Sequence, residues 1–218
     1  MIPATVQTPV SPEGIESDSW ALAGRLTELS GLGAVARTSL LVAEIVRLQE
    51  AGEPVAWVQP QSTQSLFPPD LAEAGVDLEE LIFVRVPPFV ADVLRSAELL
   101  LRSGGFALVA VDISGAEVPV AALSRLLGLA RQHQCAVVFL SEREDHQPAL
   151  GPLVSVRLCP ERQPATTGFL IQPKLLRNKV GLGSQDPLVC AAPIGASSID
   201  REVRFEQHEE APRVALAS

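Results

Sequence analysis

Four short apolar runs, Val55–Val58 (VAWV), Leu81–Val86 (LIFVRV), Phe106–Val111 (FALVAV) and Cys135–Leu140 (CAVVFL), are separated by segments of helical period. This alternation constrains the fold more than any other feature. Continuously apolar runs of strand length suit strands covered on both faces, and intervening helices supply the cover. The helical stripes are Leu41, Ile45 and Leu48; Val90, Val93, Leu94, Ala97, Leu100 and Leu101; and Leu123, Leu126, Leu127 and Ala130. Ala51-Gly52 ends the first, Gly104-Gly105 stops the second, and Pro119 stands where a first helical residue tolerates proline. Leu71–Gly75 has room for a helical turn inside a polar, proline-bearing connection that begins at Gln59. The expected class is α/β, built from βαβ units with a mostly parallel, twisted sheet flanked by helices.

From Leu153 the pattern changes. Leu153–Leu158, Thr167–Gln172, Lys174–Val180 and Leu188–Ala192 read as successive strands without helices between them, an antiparallel C-terminal extension of the sheet. Residues 1–18 carry three prolines and no periodicity, so a flexible arm is expected there, a single core over 19–196, and a charged, mobile tail over 197–218. The 218 residues carry 26 Asp and Glu against 17 Lys and Arg, a net charge of −9. Binding to nucleic acid or anionic lipid needs clustered cations, so that balance argues against both. No apolar run reaches the ~18 residues of a membrane span. The start of the chain also lacks the charged and apolar regions of a signal sequence, so a cytoplasmic protein is expected.

The chemistry-bearing stretch is Gly31–Ser39 (GLGAVARTS). It follows the apolar-alternating segment Arg25–Ser30, expected as the first strand, and opens the helix of Leu40–Glu50. Glycine-rich turns between strand and helix cradle phosphates in the pattern G-x-x-x-x-G-K-[ST]. Laid on it, Gly31 fits, Ala36 replaces the second glycine, Arg37 replaces the lysine, and Thr38 keeps the magnesium-side hydroxyl. A Cβ at Ala36 opposes the close backbone approach that glycine permits. Arginine's planar fork is no substitute for a compact ammonium at a fitted site. The candidate nucleotide residues are Gly31, Gly33, Arg37, Thr38, Ser39 and Asp112, the last ending an apolar strand where such folds hold magnesium.

Other chemistries lack a pattern. His133, His146 and His208 are scattered without ligand spacing. Cys135, Cys159 and Cys190 are far apart and form no C-x-x-C, and two of the three lie in apolar runs, as buried residues in a reducing compartment would. Two Trp, seven Phe and no Tyr leave few platforms for stacking single-stranded bases.

Segment by segment the chain resembles the RecA-type recombinase core. Gly24–Leu40 (GRLTELSGLGAVARTSL) is similar to the strand and phosphate loop of those ATPases, and Val55–Gln61 (VAWVQPQ) to the next strand. Ala74–Leu81 (AGVDLEEL) is similar to a short linker of that family, and Phe106–Ser114 (FALVAVDIS) to the strand bearing the magnesium aspartate. Cys135–Glu142 (CAVVFLSE) is similar to the sensor strand, and Leu175–Val180 (LLRNKV) to a late strand. The resemblance implies a RecA-like core. It also implies a glutamate at the position of Gln61, where an amide can orient water but cannot take its proton near neutral pH. At the sensor position Ser141 stands for a longer amide. Where the family has two DNA-binding loops, this chain has the short Ser114–Val118 and the acidic Glu142–Gly151.

A RecA-like core with these departures resembles the ImuA family, accessory proteins of damage-inducible mutagenesis cassettes. That resemblance implies a non-catalytic role in SOS mutagenesis and translesion synthesis, with no cofactor beyond weak ATP and magnesium. The implied partners are RecA, an ImuB-type Y-family polymerase homologue and an error-prone polymerase. The residues matching Arg177 and Lys179 face the nucleotide of an adjacent protomer in RecA proteins, so here they are expected to meet a partner. Ile199, Val203 and Phe205 are the expected partner contacts in the tail, ordering on binding. Two alternatives stand beside this: a SulA-like inhibitor of cell division that binds FtsZ, and a weak ATPase in which Arg37 replaces the lysine and Gln61 positions water.

Overall fold

The computed structural model describes residues 19–33, 36–63, 66–165, 168–183 and 185–190. The expected arm over 1–18 and tail over 197–218, with Ile199, Val203 and Phe205, lie outside them. In chain order the elements are β1 (Leu26–Ser30), α1 (Arg37–Glu50), β2 (Val55–Pro60), α2 (Pro68–Glu73), β3 (Leu81–Val86) and α3 (Val90–Ser103). They continue with β4 (Leu108–Ser114), α4 (Val120–His133), β5 (Ala136–Ser141), β6 (Val156–Pro164), β7 (Phe169–Asn178) and β8 (Leu188–Cys190). Among the described residues these strands make one sheet in the order β3-β2-β4-β5-β1-β6-β7-β8. β1 to β6 pair in parallel, and β6–β7 and β7–β8 pair antiparallel. The fold is α/β with a mostly parallel sheet and an antiparallel extension, as the alternation of runs implied.

Side chains alternate across the sheet, so each central strand feeds two cores. On one face Leu26, Val58, Val111, Val137 and Phe139 pack with α3 and α4 through Val93, Ala97, Leu101, Leu123 and Leu126. On the other, Leu29, Trp57, Leu108, Val138 and Leu158 pack with Trp20 and with Leu40, Leu41 and Ile45 of α1. The helix over 90–103 and the strand over 81–86 coincide with the sequence reading.

Four local expectations need correction. Arg25–Ser30 read as apolar-alternating, yet all five residues of β1 are buried, polar ones included. The strand lies between β5 and β6 with helices on both sides, and Glu28 is inside with the rest. The separate strands expected at 167–172 and 174–180 are parts of one strand, β7, which continues through Pro173 opposite Pro160. Strand β6 starts at Val156 rather than Leu153. Pro119 is not the first helical residue of α4 but the extended one before it (φ −60°, ψ 137°), which still fixes φ at the helix entry.

Gly104 ends α3 in the left-handed region (φ 70°). A Cβ there would stand 2.6 Å from Nδ1 of His133 at the end of α4. Gly104→Ala should therefore cost about 1–3 kcal/mol, backbone strain plus a displaced imidazole, read as a lower urea midpoint.

Candidate functional site

The site lies at the C-terminal edge of the parallel strands, where α/β sheets bind ligands. There, β1 gives way to the turn at Gly31, and α1 begins at Arg37. Gly33 has φ 65° and Gly31 φ 147°, backbone conformations that suit residues without a Cβ. Ala36 precedes the helix with no side-chain cap, and its own N–H donates to the Pro160 carbonyl of β6 (3.2 Å). One N–H of the turn is thus spent on the neighbouring strand. Thr38 is half-buried and Ser39 buried.

Strand register sets the facing groups. Ser30 of β1 lies beside Ser141 of β5, and Ser141 beside Ser114 of β4 across an irregularity after Asp112. Asp112 is buried, and its Oδ1 accepts from the N–H (2.9 Å) and hydroxyl (3.2 Å) of Ser114. Thr63 Oγ1 is 3.3 Å from Ser114 Oγ, and Gln59 Nε2 donates to the Thr63 carbonyl (3.3 Å). Gln61 is exposed, and its carbonyl accepts from Arg85.

Arg37 points into this row. Nη1 donates to the Ser141 carbonyl at 2.6 Å, and Nη2 stands 3.9 Å from Glu142. Burial lowers its pKa while Glu142 and Asp112 raise it, and an arginine remains charged regardless. The structure thus brings Arg37 and Asp112 together, and it does so with the guanidinium bound to strand β5.

Burial raises the pKa of Asp112 above the ordinary carboxylate range, against the opposing bonds from Ser114 and the charge of Arg37. The unfolded chain therefore releases this proton first as pH rises, and above the folded pKa the buried charge opposes folding. Asp112→Asn keeps the Oδ1 acceptor. It should raise the urea midpoint at pH 7, with the gain fading as pH falls through the folded pKa towards the unfolded one. A structural carboxylate would give the opposite sign.

A second polar group sits beneath this row. Glu28, fully buried in β1, accepts from Ser141 Oγ (2.6 Å) and from the Leu150 N–H (2.8 Å). Nε of Arg157 is 3.8 Å from Oε2 of Glu28, and Nε of Arg143 is 4.0 Å from Oε1. Arg157, also buried, donates to Ser30 Oγ and to the carbonyls of Gln147 and Glu144. The acidic segment after β5 is therefore held down by buried charges. The sequence reading missed Glu28, Arg143 and Arg157. The available signal was one carboxylate inside a strand otherwise fit for burial, with an arginine inside Val154–Leu158.

Arg177 and Lys179 stand apart from the Gly31 turn. Arg177 faces Arg157 across the β6–β7 ladder and donates to the Gly151 carbonyl (3.0 Å). Lys179 donates to the Pro152 carbonyl and shares a hollow with Arg25, which precedes β1 at the end opposite the turn. Both cations brace the segment between β5 and β6. Of the cysteines, Cys135 and Cys159 are buried free thiols, pushed up to about 12 and about 11 chiefly by burial, so neither supplies a thiolate. Among the described residues no helix is long and apolar enough to cross a membrane.

A strand–turn–helix connection and a strand-end aspartate thus stand together at one edge of a mostly parallel α/β sheet. The fold is consistent with a RecA-like core, and part of the chain is similar to RecA proteins. The chain is 27% identical to the RecA protein of Acinetobacter baylyi over 139 residues, covering 55% of this chain and 39% of that protein. It is 26% identical to RecA of Acinetobacter baumannii over the same length. The chain spans about two-fifths of the length of the curated relatives it matches. No protein-family model matches it.

Proposed function

We propose that this chain is a non-catalytic RecA-like accessory protein of DNA-damage-induced mutagenesis, a cytoplasmic adaptor that binds RecA and a polymerase-like partner of ImuB type. The reading rests on one observation. Arg37, at the position of the phosphate-binding lysine, is committed to the Ser141 carbonyl and Glu142 of its own chain. A triphosphate with magnesium needs that cation, a free backbone cradle and an ionised aspartate. Here Asp112 is present, but the cation is taken and the Ala36 N–H is bonded to β6. The residues present do not fit the nucleotide, and no hydrolytic step is derived from them.

What remains is a RecA-like surface without turnover. Its core would dock as a RecA neighbour does, and the tail with Ile199, Val203 and Phe205 would tether the second partner. Calorimetry with ATP and magnesium should show no binding tighter than about 1 mM. Purified RecA and the ImuB-type homologue should each be captured by the full chain. Loss of one on removing residues 197–218 would assign it to the tail. Micromolar ATP binding with turnover that falls in Asp112→Ala, without partner capture, overturns the adaptor in favour of an ATPase. Capture of FtsZ with neither partner favours the cell-division reading.

A further inference from the structure

A groove of about 600 Å³ runs between α3 and α4 on the face of the sheet away from α1. Its floor is apolar, with Leu94, Ala122 and Leu126 buried. Water still reaches much of the apolar surface around it. Leu99 lines the groove and is 62% exposed, and Phe89 and Val120, next in sequence to lining residues, are 64% and 54% exposed. These are three of the six large apolar side chains that the described residues leave in water. Single exposed apolar side chains need no cause, but their concentration along one groove marks a contact surface.

The charges along the same groove are mostly of one sign. Arg95, Arg102 and Arg125 line it, all exposed, against the single carboxylate of Glu98. Glu98 lies 2.6 Å from Arg102 and 3.6 Å from Arg125, so it holds both guanidinium groups at the groove and neutralises one of them at most. Three cations against one anion leave an excess of positive charge, on a chain whose net charge is −9. An occupant should therefore bring carboxylates and an apolar stripe together. Its backbone is also constrained. Both walls are helices, whose N–H and C=O groups are bonded within each helix. They offer no open ladder to an added strand, so a segment lying on the apolar floor must satisfy its own backbone, as a helix does. Phosphate groups would meet the arginines but gain nothing from Leu94, Leu99 and Val120.

We propose that the α3–α4 groove docks an acidic amphipathic helix of another protein, with the apolar stripe of that helix over Leu94, Leu99 and Val120 and its carboxylates beside Arg95, Arg102 and Arg125. The lining residues of α3 run from Val90 to Arg102, a span of about 18 Å, or roughly three turns of the incoming helix. The carboxylates set orientation and speed encounter, and burial of the stripe supplies affinity. Such a site is independent of the adaptor reading, since an acidic helix docks here whether or not the chain binds RecA.

The test uses the full chain and a fluorescein-labelled synthetic helix of about 16 residues, with leucine at every third or fourth position and glutamate on both flanks. It should bind with a Kd of about 10–100 μM and shift amide resonances within 90–102 and 119–126. Arg102→Glu with Arg125→Glu should weaken binding about tenfold. That variant should instead bind the same helix with lysine in place of glutamate, which an unfolded variant cannot do. Leu99→Asp should weaken binding by a similar factor with the arginines intact. No binding up to about 1 mM overturns the proposal, as does binding indifferent to these substitutions. Equal binding of a peptide of the same composition with its leucines scattered around the helix also overturns it. So does binding of a duplex oligonucleotide in place of the helix, which makes the groove a nucleic-acid site. A dimer in sedimentation that Leu99→Asp dissolves, without binding of the helix, overturns it in favour of a second copy as the occupant.

Discussion

Glu28→Ala should lower the stability of the fold by about 3–5 kcal/mol, the cost of removing one partner from a buried charge group. The carboxylate is fully buried in β1, accepts from Ser141 Oγ and the Leu150 N–H, and faces Arg143 and Arg157. Its removal leaves Arg157, 2% exposed, without a counter-charge in the interior. Glu28→Gln should cost less, because an amide oxygen still accepts one of the two hydrogen bonds. Pairing Glu28→Gln with Arg157→Met should cost less than the sum of the two single changes. Urea unfolding of the four proteins measures this. Additive losses would mean the charges do not act on each other. The expected structural consequence is release of the segment between β5 and β6, seen as faster amide exchange over 142–152 in Glu28→Gln under native conditions.

Phe139→Ala should be comparably severe, about 3–5 kcal/mol. Strand β5 lies between β4 and β1, and Phe139 is fully buried in the core shared with α3 and α4. A ring removed from the middle of a sheet leaves a cavity that neighbouring strands cannot close, because their ladders hold them in place. Ile82→Ala is the control. It stands on the edge strand β3, is 46% exposed, and should shift stability by less than about 1 kcal/mol. Equal losses at the two positions would contradict the arrangement of the sheet.

Gly104→Ala and Asp112→Asn test different links of the same chain of cause. The first probes how a helix end is fitted to its neighbour. The second probes a carboxylate held in a setting that opposes its charge. A rise in stability in Asp112→Asn, next to a fall in Glu28→Ala, would separate a carboxylate that opposes folding from one that supports it, with only β5 between their strands.

Much of this was legible in the residues alone. Apolar runs of strand length between helical stripes dictate a parallel sheet covered on both faces, because neither element can leave its apolar surface in water. Gly31, Gly33 and Asp112 mark the strand ends where a loop must turn, and the substitutions at Ala36 and Arg37 are local facts of side-chain size and charge. Tertiary structure decided what those groups do. No sequence spacing says that Arg37 reaches the carbonyl of Ser141, 104 positions away, or that Glu28 meets Arg157 and Leu150. Those contacts exist because β5 inserts beside β1 and β6 follows on its other side. Strand order is set by the free energy of the whole sheet, and it places distant residues side by side with no local signal in the chain.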